Sequence, residues 1–126
     1  MGFYIESDVI YITKGDDAVL EITSIATEGG AEYELQGTDV LTLTVRALPS
    51  AQSPALLQVD ALPGSRRIVF SHADTAELDV GRYSADVQLT TAEGKRFTVW
   101  PEIVGSGRYV IKNFNNFIIM PEVTSK

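Results

Sequence analysis

The search for chemistry in this chain begins with its single histidine. His72 lies in the stretch Ser71-His72-Ala73-Asp74, which contains the residue types of a hydrolytic triad. These residues share one turn, where adjacent side chains point in different directions, so helix capping accounts better for Ser71 and Asp74. The sequence has no cysteine, which excludes disulfides, thiolate metal sites and a thiol nucleophile. We therefore predict a protein that is not an enzyme and has no catalytic residues.

Carboxylates are the second candidate group. Asp16 and Asp17, with Asp39 or Asp79 nearby in the fold, carry oxygen atoms of the kind that bind calcium. The Asp-x-Asp-x-Asp-Gly spacing of a dedicated calcium loop is missing. Turn formation explains aspartates next to glycines without any ligand. We expect no metal and no cofactor, and the sequence leaves a bound calcium ion or glycan open.

Aromatic side chains late in the chain are candidates for binding. An outward Trp100 next to Pro101, which cannot donate to a strand ladder, indicates a subunit contact or a sugar platform unless a neighbouring loop covers it. On a regular strand Trp100 would face away from Phe97. Residues 109–120 are apolar on both faces, which predicts burial inside the protein or addition to a neighbour's sheet. The predicted docking surface consists of Trp100, Tyr109, Phe114 and Phe117.

The charge distribution limits the classes of partner. The formal net charge of the 126 residues is −7, which opposes binding to nucleic acid or to an anionic membrane. Residues 1–40 carry nine acids and one base, which favours either a solvated face or a docking surface for a basic partner. No apolar run approaches the roughly 18 residues of a membrane span. We expect a soluble protein made in the cytosol.

The elements that must position these residues are β-strands. Short stretches of alternating apolar and polar residues recur between glycine, proline and aspartate clusters, which predicts an all-β domain. The alternation is clearest at residues 40–48 and 83–91, and residues 83–104 are typical of a hairpin. We predict one domain, residues 1–126, folded as an immunoglobulin-like β-sandwich of about seven antiparallel strands. The other predicted strands are residues 4–13, 19–25, 56–60, 67–71, 97–104 and 109–120.

A corner between two sheets is predicted just before residue 83. A short helical turn near residues 72–78 is followed by Asp79, Gly81 and Tyr83. In immunoglobulin-like sandwiches a tyrosine so placed donates its hydroxyl to the upstream backbone and fixes the corner. Ala85 occupies the position at which a true immunoglobulin domain has its second cysteine.

Several separated stretches resemble one family, the N-terminal immunoglobulin-like domain of tailed-phage upper baseplate proteins. Gly15-Asp16 follows an opening apolar strand, as the family's Gly-Asp turn does. Residues 34–40, Glu-Leu-Gln-Gly-Thr-Asp-Val, are similar to its Asp-Leu-Thr-Gly-x-x-Val segment. Residues 81–89 resemble its Gly-x-Tyr-x-x-Asp-Ile-x-Leu strand, and residues 91–95 the hairpin turn after it. The closing segment departs from the family, because it is long and rich in asparagine.

The resemblance implies a non-enzymatic structural role in a phage or prophage tail or baseplate. The expected partners are other tail proteins, docked through sheet edges and loops, and a homo-oligomer is also open. The expected location is the virion tail, assembled in the bacterial cytoplasm. The alternative function is a carbohydrate-binding module of β-sandwich type, because such modules bind sugars on exposed aromatic rings.

Overall fold

Nine β-strands and one short helix form the described part of the chain. The computed structural model describes residues 3–6, 9–23, 25, 31–48, 52–100 and 116–121. The elements are β1 (Phe3–Glu6), β2 (Val9–Thr13), β3 (Ala18–Glu21), β4 (Val40–Arg46), β5 (Ala55–Asp60), β6 (Arg67–Phe70), α1 (His72–Ala76), β7 (Gly81–Thr90), β8 (Arg96–Trp100) and β9 (Phe117–Met120).

The strands form two sheets. The larger has the order β1-β2-β9-β7-β4-β5, with β8 also paired to β7, and the smaller contains β3 and β6. The all-β sandwich and the short helix are confirmed. Two details differ from the prediction: the described residues contain nine strands instead of about seven, and β2 and β9 pair in parallel.

Alternation of apolar and polar residues determines which face of the larger sheet is buried. On β4, Leu41, Leu43 and Val45 are fully buried, and β7 lies beside it with Ala85 and Val87 also buried. Intervening residues on both strands point to the other face, as period-two patterning requires. The inward-facing positions predicted for these two strands are therefore confirmed at these five residues, whereas Ala47, which was also predicted to face inward, is exposed just beyond the end of β4.

The core lies between the inner faces of the two sheets. Phe70 of β6 and Phe117 of β9 are both fully buried, and their ring centroids are 6.2 Å apart in a tilted arrangement. Ile68 of β6 and Ile10 of β2 add further fully buried side chains from the two sheets. The contact between Phe70 and Phe117 therefore joins the smaller sheet to the larger one.

The tyrosine corner has the hydrogen bond that the sequence predicts. The Tyr83 hydroxyl donates to the backbone carbonyl of Asp79 over 2.7 Å, and Gly81 begins β7 between them. Burial is the main cause that raises the pKa of Tyr83, while the bond to Asp79 acts in the opposite direction. The bond holds the chain where it passes from α1 into the larger sheet.

The helix before this corner is fixed by caps and by a distant turn. Ser71 and Asp74 form a reciprocal capping box, as expected from the sequence. The Asp17 carboxylate accepts the His72 backbone N–H over 2.6 Å. Lys14 lies in a turn that Gly15 makes possible, because Gly15 has a positive φ. The Lys14 ammonium donates to the Ala76 carbonyl over 2.8 Å. Of the residues that resembled catalytic or calcium-binding groups, Ser71, Asp74 and Asp17 therefore hold the helix in place.

Candidate docking edge

Strand β8 forms an edge of the larger sheet. A tight turn leads into β8. In this turn the Thr91 N–H donates to the Lys95 carbonyl and the Gly94 N–H donates to the Thr91 carbonyl, each over 2.9 Å. Gly94 has a φ of 85°, which glycine adopts without strain. Within the described residues β8 pairs with β7 alone, so its other side presents unpaired backbone groups. We call residues Arg96–Trp100 the β8 edge.

A bulge sets the direction of the side chains on the β8 edge. Val87 pairs with Trp100 while Gln88 pairs with Thr98, so Val99 is an extra residue on β8. Phe97 is opposite Leu89, and both Leu89 and Val87 point into the core. Phe97 and Trp100 therefore share one face of the sheet, because the bulge removes the regular alternation on which they would face apart.

The structure separates the four aromatic residues predicted to form the docking surface. Trp100 is partly buried and packs against the core. Phe117 is 0% exposed inside the core, so its assignment to a surface is wrong. It was misplaced because its burial depends on pairing with β2 and β7, which the local sequence does not encode. Tyr109 and Phe114 lie outside the described residues.

Phe97 is an exposed aromatic residue that the alternation of the sequence predicts to face inward. Its side chain is 52% exposed although it shares a face with buried residues of β7. The exposed basic residues Lys95 and Arg96 directly precede it in the chain. These basic residues before Phe97, together with Pro101 after the strand, are the sequence signals of an edge.

The polar candidates do not assemble into a reactive centre in the described residues. His72 lies near Asp17, with 3.3 Å between Nδ1 and the carboxylate, and both side chains are mostly exposed. Asp39 is buried at the opposite end and accepts from the Tyr33 hydroxyl over 2.6 Å and from the Gln36 N–H over 2.8 Å. No group of three or more metal-binding side chains occurs in the part of the chain that the structure describes.

Asp86 on β7 makes the stability of the sandwich depend on pH. Burial raises the pKa of its carboxyl above the ordinary 3.8, and the nearby charge of Arg46 offsets part of this effect. Because the folded state holds the proton more tightly than the unfolded chain, ionisation of Asp86 weakens folding as the pH rises. We expect Asp86→Asn to raise the thermal midpoint at about pH 7, and this gain to vanish near pH 3, where both states bind the proton.

Thermal melts at the two pH values measure this effect. Asp79→Asn, which removes an exposed carboxylate, is the matched control and is expected to change the midpoint little at either pH. An equal gain from Asp86→Asn at both pH values would show that ionisation is not the cause. No gain at neutral pH would show that the buried charge costs nothing.

The strand order and the corner together define the class of protein. The order β9-β7-β4-β5, with β8 also paired to β7, corresponds to the G, F, C and C′ strands of an immunoglobulin-like sandwich, and β3 and β6 correspond to B and E. Searches against family models, curated proteins and solved structures found no match to this chain. Among the described residues, no helix has the length and apolar character needed to cross a bilayer.

Proposed function

We propose that this chain is a non-enzymatic structural protein, or a domain of one, in a phage or prophage tail or baseplate. It docks to other tail proteins through the β8 edge, in the virion tail that assembles in the bacterial cytoplasm. The proposal rests on the exposed Phe97 at a sheet edge with unpaired backbone groups within the described residues. An extended partner segment would add backbone hydrogen bonds there, and the ring would supply apolar contact.

The placement of the family-like stretches also supports this function. Gly15-Asp16 form the turn after β2 that contacts α1, and Tyr83 lies at the sheet corner. Residues 91–95 form the hairpin turn that leads into the β8 edge. Two of the segments that resemble the baseplate family, residues 81–89 and 91–95, therefore shape the corner and the edge.

The charge beside the β8 edge favours one kind of partner. Lys95 and Arg96 directly precede Phe97, so this edge favours a partner segment with acidic residues, although the chain as a whole is acidic. Acidic side chains also lie around α1, where Asp17 and Glu77 are exposed.

The proposal is tested by measuring binding to purified proteins encoded by the genes that flank the gene of this chain. We expect Phe97→Ser to weaken the complex about tenfold or more, because buried aromatic anchors dominate interface energies. Val69→Ser is the matched control, since Val69 is 58% exposed on the smaller sheet. Both substitutions are expected to lower the free energy of unfolding by about 1 kcal/mol or less.

Two outcomes would count against this proposal. Equal binding by the Phe97 and Val69 variants would remove the β8 edge from the interface. Saturable binding on a glycan array, lost in Phe97→Ser, would instead establish the carbohydrate-binding alternative, which the half-exposed ring on the same face as Trp100 also fits.

A further inference from the structure

Strands β8 and β9 pair with the same side of β7. Strand β4 follows one side of β7, from Ser84 to Thr90. On the other side, β8 pairs with residues 87–90 and β9 pairs with residues 81–83. Both run antiparallel to β7, so the chain passes along this side twice in the same direction.

The side chain of Asn116 fills the position between these two strands. Its Oδ1 accepts the Ala85 N–H over 2.7 Å, and its Nδ2 donates to the Ala85 carbonyl over 2.9 Å. Its own backbone carbonyl accepts the N–H of Ile10 on β2 over 2.8 Å. Asn116 is 2% exposed, so these hydrogen bonds lie away from water.

We infer that β8 and β9 are two halves of one strand beside β7, and that the Asn116 side chain replaces the peptide group missing opposite Ala85. Val87 and Tyr83 are four residues apart on β7, whereas their pairing partners, Trp100 and Phe117, are 17 residues apart. The chain from Trp100 to Phe117 is therefore 13 residues longer than one continuous strand beside β7 would need. Asn116 is the positioning residue that returns the chain to β7.

The choice of side chain follows from hydrogen-bond chemistry. A carboxamide offers one acceptor and two donors in a plane, as a peptide group offers one of each. Aspartate would place an acceptor against the Ala85 carbonyl, and alanine would leave both Ala85 groups buried without partners. Glutamine keeps the amide but moves it outward by one methylene, which breaks the match to Ala85.

Amide hydrogen exchange of the full chain is the first test. We expect Asn116→Ala to speed exchange of the Ala85 amide about tenfold or more and to lower the thermal midpoint by about 5 °C or more. The Val87 amide lies opposite Trp100 of β8 and is expected to keep more of its protection from exchange than the Ala85 amide does. Unchanged exchange at Ala85 would overturn the inference.

A shortened chain is the second test and separates the inference from general destabilisation. Replacing residues 101–115 by Gly-Ser places two residues between Trp100 and Asn116, the number that makes the register continuous. The backbone of this linker then lies opposite Ala85, so Asn116→Ala in the shortened chain is expected to cost less than half of its effect in the full chain. An equal loss in both chains would overturn the inference. If the shortened chain does not fold, the exchange rate at Ala85 in the full chain decides.

Discussion

Replacing Phe117 by alanine is expected to lower the free energy of unfolding by about 3–5 kcal/mol. Phe117 is fully buried, pairs with β2 and β7, and contacts the Phe70 ring of the smaller sheet. Removing its ring opens a cavity at the place where the two sheets meet. Urea-induced unfolding followed by far-ultraviolet circular dichroism measures this loss.

Phe97→Ala is the matched control, because it removes the same ring from a side chain that is 52% exposed. We expect this variant to lose about 1 kcal/mol or less. Similar losses in the two variants would contradict the assignment of Phe117 to the core and Phe97 to the surface. The pair also decides how binding data are interpreted, since a Phe117 variant would lose binding through unfolding alone.

Replacing Asp39 by alanine is expected to cost about 3 kcal/mol. Its buried carboxylate accepts hydrogen bonds from the Tyr33 hydroxyl and the Gln36 N–H, and its backbone carbonyl accepts the Gly64 N–H. Alanine keeps the backbone bond and leaves the other two donors without this acceptor. Asp39 therefore holds together the turns that precede β4 and β6.

Tyr33 provides a second readout of the same bond. Its pKa is raised above 10.0, first because its hydroxyl donates to Asp39. Because the pKa of Tyr33 is raised in the folded state, its hydrogen bond to Asp39 stabilises the protein below the ordinary pKa of tyrosine. This stabilisation is lost as the pH rises through the pKa that Tyr33 has in the folded protein. We expect Asp39→Ala to lower the pKa of Tyr33, measured by NMR titration. Thr38→Ala, at the exposed neighbouring position, is expected to leave both the pKa and the stability unchanged.

Local patterns were sufficient to predict the central strands. The alternation on β4 and β7, the glycine turn before β8 and the capping residues of α1 each depend on neighbours in sequence, and each occurs where expected. Residues 4–13 were predicted as one strand and instead form the antiparallel pair β1 and β2. The chain reverses between Glu6 and Val9, and the sequence between them is Ser-Asp, two turn-forming residue types, so the sequence contained a turn signal that the prediction did not use.

Long-range pairing accounts for the errors at the candidate site. The parallel pairing of β2 with β9 buries Phe117, and it joins residues about a hundred positions apart. One extra residue, Val99, turns Trp100 onto the face of Phe97, because side chains alternate with a period of two.

Hydrogen exchange at the Thr98 amide tests the docking proposal most directly. Thr91 and Lys95 form a hydrogen-bonded pair, and such pairs alternate along an antiparallel ladder, so the Thr98 N–H opposite Gln88 points away from β7. We expect this amide to exchange rapidly in the free protein and to slow about tenfold or more when a tail protein adds a strand there. A complex that forms while the Thr98 amide continues to exchange at the free rate would contradict docking at the β8 edge.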